Sequence, residues 1–138
     1  MDRKEFLSML GLGGAAAVCS YCFGGCNPSD PLTPPPANVD FTLDLSDPSY
    51  AALKNVGSYL YSHSLIIAHT TGGVYVAASS TCTHAGAIVF YDPAGNRFHC
   101  PAHGSDFATN GSVINGPAGN ALATYHATLT GTLLHIYS

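Results

Sequence analysis

Positive charge is scarce in this sequence. Of its 138 residues only four are basic, Arg3, Lys4, Lys54 and Arg97, and all charged residues together make up 9%. Four scattered cations form no basic patch or stripe, which excludes a nucleic-acid interface. The acidic residues beyond position 26 are Asp30, Asp40, Asp44, Asp47, Asp92 and Asp106, spread too thinly to steer a charged partner. The body shows no internal repeat and no nucleotide-binding motif. What is there is a chain 46% apolar, enough to fold as one domain with a short appendage.

The first 26 residues carry an address. Arg3 and Lys4 precede a stretch from Phe6 to Gly25 without charge, the pattern of an export signal. Arg3-Lys4 with Phe6-Leu7 resembles a twin-arginine signal with lysine in the second place, a route that carries cargo across the membrane already folded. "FGGC" at 23–26 resembles a lipoprotein box, making Cys26 the lipid acceptor; Val18 and Tyr21 make Cys19 and Cys22 poorer acceptors. An uncleaved anchor helix is the alternative, since about 18 apolar residues span roughly 27 Å. Either way the body is exported and tethered to a membrane through lipid or anchor. It stands on the periplasmic side of the cytoplasmic membrane or as an outer-membrane lipoprotein. Residues 27–38 follow as a linker with prolines at 28, 31, 34, 35 and 36. Polyproline II geometry gives twelve such residues a reach of roughly 37 Å, a solvated spacer or a semi-rigid tether.

From residue 39 to 138 the hydrophobic period is two. Val39, Phe41, Leu43 and Leu45 alternate with polar residues, as in a half-buried strand. "GSYLYSHSLIIAHTTGGVYVAAS" reads as two strands around a turn at 70–73, "AIVFYDPAGNRFHC" as a hairpin turning at 92–96, and "TYHATLTGTLLHIYS" as a hairpin turning at Thr130-Gly131. A helical turn is expected near "DPSYAALKN", with Asp47 as cap and Pro48 as first residue. The expected fold is an all-β antiparallel sandwich or barrel.

Two short stretches carry the chemistry. "CTHAGA" spaces Cys82 and His84 as Cys-x-His, and "HCPAHGSDF" spaces Cys100 and His103 as Cys-x-x-His, with fifteen residues between His84 and Cys100. Each pair lies in a turn with Gly86 or Gly104 just beyond. Two loops joined by a hairpin can each offer one sulfur and one nitrogen, a set that suits zinc or iron–sulfur. A disulfide between the two body cysteines is the further possibility.

"CTHAG…CPAHGSDF", followed by "NGPAGNAL" at 115–122, resembles the Rieske iron–sulfur domains, over roughly Val39 to Ser138. The resemblance implies a two-loop cluster-binding subdomain and one 2Fe–2S cluster. Carried over by position, Cys82 and Cys100 hold the buried iron and His84 and His103 the exposed one. Asn115 to Ala118, with Gly116 and Pro117, corresponds to a shielding proline loop. Ser105 stands where the family has a donor to a bridging sulfide, and Phe107 where it has a tyrosine that donates to a cysteine sulfur. Ala87 and Ala102 stand where high-potential members carry a bridging disulfide.

Charge counting explains what such a ligand set does. Two thiolates and two neutral imidazoles bring a core of charge plus two to zero, whereas four thiolates would leave it at minus two. Reduction is easier from zero, and the class spans about −150 to +300 mV. One donor kept and one lost implies a value below the quinol-oxidising group and above the all-cysteine type.

The implied function is one-electron transfer, with a redox partner such as a cytochrome or a quinol-oxidising complex. The alternative is a subunit of a larger oxidoreductase, of the quinol–cytochrome bc or arsenite-oxidase kind. A structural zinc-binding or metal-free module is the remote one. The chain lacks the mononuclear iron site of a complete oxygenase. His63, His69, His126 and His135 read as structural residues on strands, His99 as pointing away from the ligands, and Asp106 as a surface loop carboxylate.

Overall fold

The computed structural model describes residues 34–84 and 86–138. Ten antiparallel strands form two sheets, and no α-helix occurs among the described residues. The larger sheet has six strands in the order β1 (Asp40–Asp44), β10 (Leu133–Tyr137), β9 (Thr124–Thr130), β4 (Tyr75–Ser79), β3 (Leu65–His69) and β2 (Tyr59–Ser62). The smaller is a meander of β5 (Phe90–Asp92), β6 (Arg97–His99), β7 (Asp106–Ala108) and β8 (Val113–Asn115). This is the expected all-β architecture with its two-loop subdomain.

Alternation places the cores. Val39, Leu43 and Leu45 are buried and Phe41 half-buried, so the outer strand β1 turns one face inward as its period requires. Strand β3 has no polar face. Leu65 and Ile67 join one core with Leu134 and Ile136, while Ile66 and Ala68 join a second with Phe98 and Phe107. The run "LIIA" is apolar throughout because both of its faces are covered. Phe41 on β1 stacks on His63 beyond β2, with ring centroids 3.9 Å apart. The two outermost strands therefore meet, and the large sheet curls toward a barrel.

Two tyrosines fasten the small sheet to the large one. Tyr91, 1% exposed, donates to Asn96 Oδ1 at 2.7 Å and accepts from the Thr71 backbone N–H at 3.0 Å. Tyr61 donates to the Val89 carbonyl at 2.7 Å.

The turns at 70–73 and 92–96 stand where the residues place them, while the last hairpin turns at Gly131-Thr132, one residue later, because Thr130 still pairs with Leu133. Three further local readings change. The first of the two strands read from "GSYLYSHSLIIAH" is a hairpin, broken by His63 and Ser64 at φ 54° and 62°. Two positive φ values make a type I′ turn, usually signalled by Asn-Gly rather than His-Ser. Asp47 does accept from the Ser49 N–H at 2.8 Å, but the helix is a single 3₁₀ turn, Ala51–Lys54. Strands β7 and β8 have only three residues each, too short for a period to show.

Candidate metal centre

Three loops meet at one end of the small sheet. Residues 80–89 join β4 to β5, residues 100–105 join β6 to β7, and residues 116–123 join β8 to β9. The two cysteine loops close in the same way. The Cys82 N–H donates to the Ala87 carbonyl at 2.7 Å, and the Gly86 N–H returns to the Cys82 carbonyl at 3.0 Å. Likewise the Cys100 N–H donates to the Ser105 carbonyl at 2.8 Å, and the Gly104 N–H returns to the Cys100 carbonyl at 3.0 Å. Gly86 and Gly104 sit at φ 73° and 80°, a left-handed conformation that a Cβ would oppose.

Each loop thus pins its cysteine at the root and lifts its histidine to the crown. Cys82 and Cys100 are 0% and 1% exposed, while His84 and His103 face solvent. The two imidazoles lie side by side, centroids 4.9 Å apart and planes at 84°. Cys100 carries a free thiol, so the Cys82–Cys100 disulfide is not formed.

This layout discriminates between metals. Structural zinc gathers four ligands around one ion. Among the described residues, no three His, Cys, Asp or Glu side chains converge on a point that could hold one ion. A two-iron cluster asks for only two protein ligands at each iron, sulfurs on one side and imidazoles on the other. A buried cysteine pair beneath an exposed histidine pair has that division, and the residues fit the group.

The third loop closes over the other two. Ser105 is fully buried, and its Oγ accepts from the Ala118 N–H at 3.0 Å, which leaves its own O–H to donate. Thr83 donates from Oγ1 to the Asn120 carbonyl at 2.6 Å. Asn115 Nδ2 reaches the Gly104 carbonyl at 3.4 Å. Gly116 and Pro117 are exposed and Ala118 is buried beneath them. Phe107 is fully buried opposite Phe98 across β6 and β7, with no hydroxyl to offer.

The family model for the Rieske [2Fe-2S] domain matches residues 44–126. This chain belongs to the Rieske [2Fe-2S] family. It is 32% identical to the cytochrome b6-f complex iron-sulfur subunit of Prochlorococcus marinus (strain MIT 9215), over 91% of this chain and 79% of that subunit. It is 30% identical to the plasma membrane Rieske protein PetC3 from Synechocystis PCC 6803, with a TM-score of 0.51 over 58% of this chain and 84% of that one. A ferredoxin of Sphingomonas yanoikuyae B1, 22% identical, shares the fold with a TM-score of 0.53, over 63% of this chain and 93% of that one. The cofactor is accordingly one 2Fe–2S cluster, and the chemistry of this Rieske domain is one-electron transfer.

Around the centre, several residues stand where the sequence does not put them. Asp106 is 6% exposed and lies on β7, bonded to His99 and Arg97, because the strand resumes directly after Ser105. His63 occupies a turn, while His69, His126 and His135 lie on strands. His99 does lie between two buried neighbours, Phe98 and Cys100, and points away from them. Thr83 and Asn115, which tie the loops together, carry no sequence signal of that role. Cys26, Cys19 and Cys22 lie outside the described residues, as does Ala85. Among the described residues, no helix is long and apolar enough to cross a membrane.

Part of the linker is described. Tyr125 donates to the Pro36 carbonyl at 2.7 Å, and Pro34 and Pro35 line a cavity of about 320 Å³ with Thr83 and Asn120. The last prolines therefore run beside the first cysteine loop, Pro34 and Pro35 exposed and Pro36 half-buried.

Proposed function

We propose that Cys82 and Cys100 hold the inner iron, that His84 and His103 hold the outer one, and that the chain is a membrane-tethered carrier on the periplasmic side. The observation that carries this reading is the solvent-facing imidazole pair set above two buried cysteines. When bound, the cluster takes up and returns one electron. The crown imidazoles give a partner its shortest approach, while the buried sulfurs stay away from water. On each histidine the ring nitrogen not turned to iron faces solvent, where a partner can reach it. Ser105 donates its hydroxyl toward the cluster sulfide and favours the reduced form. The buried Phe107 leaves the cysteine sulfur without a phenol donor.

Residues 1–26 serve as export signal or anchor in this reading, with Cys26 as lipid acceptor, 27–38 as linker and 39–138 as the redox head. Electrons pass between a membrane or periplasmic donor and a soluble acceptor such as a cytochrome. A second reading, a Rieske subunit of a larger membrane complex, is favoured by the name of the Prochlorococcus relative. Purification of the full chain from membranes in mild detergent separates the two. A chain recovered alone, and released to the soluble fraction by Cys26→Ala, supports the tethered carrier. A stoichiometric complex supports the subunit, and a soluble wild-type chain contradicts both.

A further inference from the structure

The root of the second cysteine loop is charged, and that of the first is not. Loop 100–105 begins directly after His99 and ends directly before Asp106, and the strand register sets these two residues opposite each other. His99 Nδ1 lies 2.6 Å from Asp106 Oδ1, and Arg97 Nη1 donates to Asp106 Oδ2 at 3.2 Å. Arg97 Nε continues to Asp92 Oδ2 at 3.3 Å. At the root of the first loop the corresponding pair is Thr81 and Ile88, which carries no charge.

A carboxylate only 6% exposed carries a desolvation penalty that its partners must offset. A neutral pair like that of the first loop would close the hairpin without this penalty. Asp106 is also one residue from Ser105, whose carbonyl holds the Cys100 N–H and whose hydroxyl lies under the third loop. A charge buried that close, in a medium less screening than water, acts on any electron added to the centre.

We infer that Asp106 is a positioning residue for the second loop and that the Arg97–Asp106 pair sets the reduction potential of the centre. The inference rests on Cys100 and His103 being iron ligands. Asp106 clasps the root of the loop through His99, so Cys100 and His103 keep their spacing. Its negative charge opposes reduction, and the Arg97 cation offsets part of that opposition.

The test is a redox titration of the full-length holoprotein at one neutral pH, followed by visible and EPR spectra, with iron content measured in parallel. Asp106→Asn removes the anion and shifts the midpoint upward. Arg97→Gln removes the cation and shifts it downward, whereas Arg97→Lys stays near wild type. A purely structural clasp would move both variants in one direction or release iron without a shift. Shifts of the same sign, or none, overturn the inference. Should Asp106→Asn fail to assemble, Arg97→Gln against Arg97→Lys decides, since both leave Asp106 in place. His103→Cys in the same titration tests the ligand reading separately. If it lowers the midpoint while the charge variants do nothing, the ligand assignment stands and the role of the Arg97–Asp106 pair is wrong; if it changes nothing, the ligand assignment is wrong.

Discussion

Ser105 uses the acceptor side of its hydroxyl on the Ala118 N–H and keeps the donor side. In the proposed reading that O–H goes to the cluster sulfide. A hydrogen bond to a charged acceptor is worth about 1.5–3 kcal/mol. For one electron about 1.4 kcal/mol corresponds to about 59 mV, so Ser105→Ala lowers the midpoint by at most about 130 mV. Redox titration checks this, and iron content should not change. Phe107→Tyr is the converse experiment. Its new hydroxyl should raise the midpoint, since a phenol at that depth needs a partner and the cysteine sulfur is the acceptor the family offers there. His103→Cys keeps a cluster but lowers the midpoint, because an added thiolate replaces a neutral imidazole. The four proposed ligands were legible as two Cys–His pairs from their spacing, and the resemblance to Rieske domains supplied their assignment to the two irons. Asp106 was not, since a carboxylate after a glycine-serine turn reads as solvent-facing until β7 is seen to start there.

At the scale of elements, alternation sufficed for β1, β9 and β10, and turn chemistry sufficed for 70–73 and 92–96. What failed lacked a local signal. The His63-Ser64 turn uses residues that seldom take positive φ, and β8 carries a bulge against β7, its register stepping from Asn115 to Val113. The extra residue, Ile114, is turned to solvent, so the strand never shows a clean period. The two sheets are joined by a few specific bonds, and this gives a prediction of stability. Tyr91→Phe leaves the Thr71 N–H and Asn96 Oδ1 without their partner. Unfolding in denaturant should show a loss of about 1–3 kcal/mol with the midpoint potential unchanged. An altered potential would mean that the small sheet is not an independent rigid mount for the loops.

On the scale of the whole molecule, one core packs within the curled sheet and a second under the cysteine loops, with β3 as the wall between them. That arrangement explains how a chain of low charge, without any α-helix in its described part, fixes two loops closely enough to hold a cluster. The linker's end lies against the same loops, so Tyr125→Phe frees Pro36 from its partner. The variant should increase protease cleavage within residues 27–38 while leaving the visible spectrum intact. The account's central claim is the division of ligands, sulfurs below and imidazoles above. Pulsed EPR of the reduced protein, grown with ¹⁵N-labelled histidine, tests it most directly. Two histidine nitrogens should couple to the cluster spin, and His84→Cys and His103→Cys should each remove one. A cluster with no histidine coupling, or a coupling that survives both substitutions, would contradict it.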